Sequence, residues 1–221
     1  MPMTAQMPHE LRIECETWAT ELESALDDAE RIAFMRRALP RLLENRALFL
    51  ALFHAIASGA SYPETRRPTL FQNEIILYLH EQRLFSLRML MSGPGEYTPI
   101  HDHNAWGVIA PWSGTLGVTT YERLDTGDRE GIARIRRKRH RGLRPGDTED
   151  VLPLDQGIHC TGNEGEDILV MLSVYGRPVR RPYVLAFDAE NERAYPLYTP
   201  RTRKRLLAKE LLDGSKHPRR A

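Results

Sequence analysis

Between residues 9 and 58, apolar side chains recur at intervals of three and four. Leu22, Ala25, Leu26 and Ala29 lead to Ile32 and Met35, then to Leu39, Leu42 and Leu43, then to Leu48, Leu52, Phe53 and Ile56. That spacing predicts amphipathic helices. Pro40 falls within the run and is expected to open a new helix, since proline suits a first turn. Gly59 is the expected stop, with Pro63 and Pro68 beyond it. Two or three helices follow from this reading.

After Pro68 the pattern shortens to runs rich in β-branched and aromatic residues, broken by Gly, Pro and Asp. The runs cover residues 74–80, 84–91, 105–111, 115–123, 133–141, 150–154, 167–175 and 184–188. Strands at such spacing fit an antiparallel sandwich or barrel. Residues 200–212 are basic and predict one last helix, with disorder expected after Gly214. The expected organisation is a helical segment over 1–68, a β-barrel over 69–198 and a basic helix and tail over 199–221.

Composition narrows the class. The chain has 221 residues, enough for one domain with an appendage, and 41% are hydrophobic. Thirty-one basic and 30 acidic residues leave a net charge of +1, which gives no bulk attraction to nucleic acid or anionic membrane. There is no signal-peptide pattern at the N-terminus and no apolar run long enough to cross a bilayer. Two cysteines, Cys15 and Cys160, exclude a disulfide scaffold and suit a reducing cytoplasm. The basic stretch over 132–144 lacks interleaved aromatics and reads as a solvated strand rather than a nucleic-acid patch.

The chemistry lies in the segment from Gly95 to Gly107, which contains His101 and His103. Histidines at i and i+2 on a strand point to the same face, so both can grip one metal inside a barrel. A third ligand has to come from another strand, and His159, after the turn at Gly157, is the candidate. Cys160, its neighbour, should face away from the metal as a buried thiol. Trp106 and Trp112 could line the pocket or belong to the core. His54 and His80 have no partners at ligand spacing.

These residues resemble the two motifs of the cupin superfamily. Gly95, His101, His103 and Gly114 match the first; Gly146, Pro153, Gly157, His159 and Asn163 match the second with small shifts. The resemblance implies a double-stranded β-helix, a jelly-roll barrel, with N-terminal helices and a short C-terminal helix. Gly107 stands where most cupins place a glutamate ligand. Three neutral imidazoles would leave the metal its full double charge and let it attract an anion such as a thiolate.

A closer resemblance is to the thiol dioxygenases, the cysteine dioxygenase and 3-mercaptopropionate dioxygenase family. It rests on Leu77-Tyr78, Phe85-Ser86, Gly93-Pro94-Gly95, Thr98-Pro99, the segment His101 to Gly107, His159, Val174-Tyr175-Gly176 and Val179-Arg180-Arg181. It implies ferrous iron, Fe(2+), on His101, His103 and His159, with Tyr175 over the open metal face. It implies a substrate carboxylate held by Arg181 or its neighbour Arg180, with Asn73 at the position of a family glutamine. A small carboxylated thiol and O2 would then give a sulfinic acid. Two departures stand out. The family's serine–histidine–tyrosine relay reads Met171, Ser173, Tyr175 here, and Gly107 excludes a cysteine–tyrosine crosslink. Three histidines alone would suit zinc equally well. A metal-dependent lyase or isomerase and a non-catalytic binding cupin remain alternatives, and homo-oligomerisation is open.

Overall fold

The computed structural model describes residues 7–59, 69–179 and 181–216. Three helices come first: α1 His9–Ser24, α2 Asp28–Leu43 and α3 Arg46–Ala57. The Asp27 side chain caps α2 by accepting from the Glu30 amide at 2.9 Å. Pro40 does not open a helix; it sits in the last turns of α2. The break comes at Asn45, whose side chain accepts from the Leu48 amide at 3.1 Å and starts α3. A side-chain cap satisfies an orphan amide, which a proline at position 40 cannot do. Gly59, at φ +80°, follows the end of α3 in the left-handed region, as the stop signal requires.

Eleven strands follow among the described residues: β1 Glu74–Leu79, β2 Phe85–Ser92, β3 Ile100–His103, β4 Gly107–Ser113, β5 Leu116–Arg123, β6 Ile135–Leu143, β7 Glu149–Val151, β8 Leu154–Asn163, β9 Leu169–Gly176, β10 Val184–Asp188 and β11 Arg193–Leu197. They form two antiparallel sheets, ordered β1-β2-β9-β4-β7 and β11-β10-β3-β8-β5-β6. The chain repeatedly crosses between the sheets, which is the jelly-roll arrangement. A last helix, α4, runs Pro200–Lys216, past the expected end at Leu212 and into the stretch after Gly214 that was expected to be disordered. Residues 217–221 lie outside the described residues.

β8 and β11 escape a search for apolar alternation. β8 reads LDQGIHCTGN and becomes a strand because β3 and β5 hold it on both sides. β11 carries Pro196, which an edge strand tolerates.

The first sheet is buried on both faces. Leu87 and Met89 of β2, Val108 and Ala110 of β4 and Leu172 and Val174 of β9 pack on the helices in one cluster with Trp18, Leu39 and Phe49. Trp112 joins this layer, 5.0 Å edge-on from Phe53, and Trp106 is also buried in it. The alternate positions, Leu90, Ile109, Leu169 and Met171, fill the barrel interior with Leu116 and Val118 of the second sheet. Two-sided burial explains why β9 reads as a nearly unbroken apolar run.

β6, the basic strand, lies at a sheet edge with most of its side chains exposed. Charge on an edge discourages further strand pairing. Arg139 and Arg141 both bond Glu149 of β7, so the stretch ties one sheet to the other. No helix among the described residues is long and apolar enough to cross a membrane.

Candidate metal centre

β3 and β8 are antiparallel neighbours with His101 opposite His159, and a register shift follows before His103. Alternation turns His101 and His103 to one face, and the cross-strand pairing brings His159 beside them. The ring centroids are 4.7 Å (His101–His103), 5.0 Å (His101–His159) and 4.6 Å (His103–His159) apart. All three residues are buried, and their candidate ligand atoms lie within 4.8 Å of one another. The Nε2 atoms of His103 and His159 are 2.9 Å apart.

Gly157 lies within β8, where the strand passes close to Leu152, rather than in the turn that the sequence predicts. A Cβ there would come within 1.8 Å of the Leu152 carbonyl oxygen, so no other residue lets the strand run this close to Leu152 on its way to His159. His101 Nδ1 lies 2.8 Å from the Pro99 carbonyl oxygen. A carbonyl only accepts, so Nδ1 carries the proton and Nε2 keeps its lone pair for a metal.

Burial lowers the pKa of His101, against a smaller opposing effect of the Pro99 carbonyl. Burial, then the neighbouring imidazoles, holds His103 well below the usual range, and burial followed by His101 does the same for His159. Three neutral imidazoles with converging lone pairs are a fitting donor set for a divalent transition metal.

The centre opens on a narrow cavity of about 20 Å³, room for one water. Phe71, Leu90, Ile109 and Met171 form its apolar lining. The same inward positions of β2 and β9 that are apolar deep in the barrel turn polar near the metal centre. Leu90 gives way to Arg88, and Met171 gives way to Ser173 and Tyr175.

Tyr175 stacks on His103 at 5.4 Å, with 21° between the planes. It is paired with Gly107 across β4 and β9, where a Cβ would come within 2.6 Å of the tyrosine ring. Glycine at 107 is therefore the condition for Tyr175 to reach the centre. Burial, followed by the Glu74 carboxylate, pushes the Tyr175 hydroxyl up to about 12, against the pull of Arg88 and the Ser173 hydroxyl. At neutral pH the hydroxyl is a donor.

Arg88 and Glu74 are the charged residues of the cavity wall. Arg88 Nη1 donates to Glu74 Oε1 at 3.1 Å, and Arg88 Nε donates to Ser86 Oγ at 3.1 Å. Its guanidinium carbon lies 5.5 Å from the centre of the Tyr175 ring.

The other expected contacts fall elsewhere. Asn73 is exposed, and its side-chain amide donates to the Met91 carbonyl at the sheet edge. It sits in the turn just before β1, one residue short of Glu74. Arg181 backs the metal strand. Its Nη2 donates to Asp102 Oδ1 at 2.7 Å and its Nε to Asn104 Oδ1 at 2.8 Å. Neither Asn73 nor Arg181 lines the cavity. Arg180 lies outside the described residues. Cys160 turns away from the centre, with Sγ 3.1 Å from the Thr98 carbonyl oxygen.

Sequence reasoning missed Glu74 and Arg88. The available signal was Arg88 itself, a single charge at an inward position of the otherwise apolar and small-residue strand FSLRMLMS.

The fold and site together describe a jelly-roll barrel with a three-histidine centre. No family model matches the chain. Solved structures that it resembles are distant. A cupin 2 domain-containing protein from Halorhodospira halophila is 19% identical, with 55% of this chain and 73% of that one covered at a TM-score of 0.41. An oxalate oxidase bound to glycolate is 20% identical, over 51% and 54%, at 0.37. The oxalate decarboxylase of Lactobacillus farciminis is 16% identical, over 70% of this chain and 39% of that one, at 0.37.

Proposed function

We propose that this protein is a non-haem iron thiol dioxygenase that converts a small carboxylated thiol to its sulfinic acid with O2. The observation that carries the reading is a guanidinium, Arg88, on the wall of the cavity lined by His101 and His159 of the three-histidine centre. A metal centre that keeps its double charge attracts a thiolate, and a guanidinium beside it accepts a carboxylate. Arg88 takes the anchoring role that the resemblance implies for Arg181, Arg180 and Asn73.

Ferrous iron held by His101, His103 and His159 would supply the coordination sites at which thiolate and O2 meet. The chain's own residues do the rest. Arg88 binds the carboxylate and fixes which way the thiol points. The Tyr175 hydroxyl, protonated at neutral pH, donates a hydrogen bond to the bound substrate. Ser173, two residues before Tyr175 on the same wall of the cavity, takes the place of the missing relay histidine beside that hydroxyl. Phe71, Leu90 and Met171 keep bulk water out, which strengthens each of these contacts. The reaction is balanced as thiolate plus O2 giving sulfinate, with both oxygen atoms on sulfur and no external reductant.

The test is oxygen uptake by anaerobically iron-loaded protein offered small carboxylated thiols. Uptake matched by sulfinate, and lost in His159→Ala, supports the proposal. Iron bound with no uptake for any thiol contradicts it and favours a lyase or a binding protein. A lyase with Tyr175 as base fits less well, because a hydroxyl near 12 gives up its proton reluctantly at neutral pH.

A further inference from the structure

Glu74 is a residue that the proposed reaction leaves without a task. Its side chain is only 8% exposed, and it lines the same cavity as His101 and His159. Its Oε1 accepts from Arg88 at 3.1 Å, and its Oε2 accepts from the Leu70 amide at 3.2 Å. In a pocket meant for a thiol bearing only a carboxylate, a buried acid beside the anchoring arginine can at most hold the guanidinium in place. The acid weakens the positive field and repels the incoming anion. A thiol that also carries an ammonium turns the pair into a complementary dipole. The ammonium goes to Glu74, and the carboxylate goes to Arg88 Nη2, which bonds no other described residue.

We infer that Glu74 is a specificity-determining residue, selecting thiols that carry an ammonium group over thiols that carry a carboxylate alone. The inference rests on the thiol-binding reading of the site. A rival account gives Glu74 only the task of holding Arg88 in place. The two differ in how removal of the charge affects different ligands. Under the rival, every carboxylated thiol weakens alike. Under the inference, the effect sorts by the amine.

The experiment is anaerobic calorimetry of iron-loaded protein with three probes: cysteine, cysteamine and 3-mercaptopropionate. Wild type should bind cysteine more tightly than 3-mercaptopropionate. Glu74→Gln should weaken cysteine and cysteamine on the order of tenfold or more, the scale of one charge-assisted hydrogen bond, and leave 3-mercaptopropionate equal or tighter. Glu74→Asp, with its charge kept, should preserve the wild-type order. Equal loss for cysteine and 3-mercaptopropionate in Glu74→Gln overturns the inference. So does a wild-type preference for 3-mercaptopropionate, a result that needs no variant to fold. If no probe binds the iron-loaded wild type, the thiol reading itself falls, an outcome distinct from binding without amine preference.

Discussion

At the scale of single residues, the centre depends on what small side chains permit. Gly107 leaves space for the Tyr175 ring, and a methyl group there would stand 2.6 Å from it. Gly107→Ala should displace the ring and lower turnover about 10- to 100-fold, the cost of a misplacement near one ångström, with iron content unchanged by metal analysis. If Fe(2+) occupies the centre, it should raise the melting temperature of the wild type, and His159→Ala should remove a ligand, abolish stoichiometric iron binding and cancel that rise. The three histidines were legible in the sequence because the period of a strand places i and i+2 together. Gly157 stood out before the third, but it lies within β8 rather than in a turn. Glu74 and Arg88 were not legible. The anchor was sought at Asn73 and Arg181 by resemblance, and a shift of one residue or one bond partner changes which site a side chain serves. Arg181 is held by Asp102 and Asn104 instead.

At the scale of elements, β3 has only four residues, yet it carries two ligands. Its grip comes from its polar back. Asp102 is fully buried, and its Oδ1 accepts from Arg181 at 2.7 Å and from the Leu185 amide at 2.6 Å. Asn104 adds bonds to the Arg181 and Tyr183 carbonyls at 3.1 and 2.8 Å. Arg181→Met leaves the Asp102 carboxylate buried without its cation and should cost roughly 3 kcal/mol in urea unfolding, with little change in thiol affinity for protein that still holds iron. Arg88→Met also strips a buried carboxylate, Glu74, of its cation and should lower stability, but unlike Arg181→Met it should weaken the affinity for carboxylated thiols on the order of tenfold or more. Equal effects of the two variants on that affinity would contradict the roles assigned to them. Element prediction went well where the pattern is strong, as in α1–α3 and β2. It went astray where a cap or a neighbour decides. Asn45, not Pro40, sets the start of α3, and β8 is a strand because β3 and β5 flank it.

At the scale of the whole molecule, the first sheet separates two chemistries. Its outer face joins the helices in a dry core, and its inner face, apolar at depth, turns polar around the metal centre. Cys15 belongs to the dry side. Burial pushes its thiol up, with Glu14 and Glu16 adding to the effect. It should resist thiol reagents at neutral pH in the folded protein and react once urea unfolds the chain, a contrast that mass spectrometry reads directly. The central claim, that the three-histidine centre adds dioxygen to a thiol, is tested most directly with 18O2. Iron-loaded protein, a thiol substrate and labelled gas should give a sulfinate with both oxygen atoms labelled, and no such product from His159→Ala. A product labelled in one oxygen, or one whose oxygen comes from water, would contradict the account.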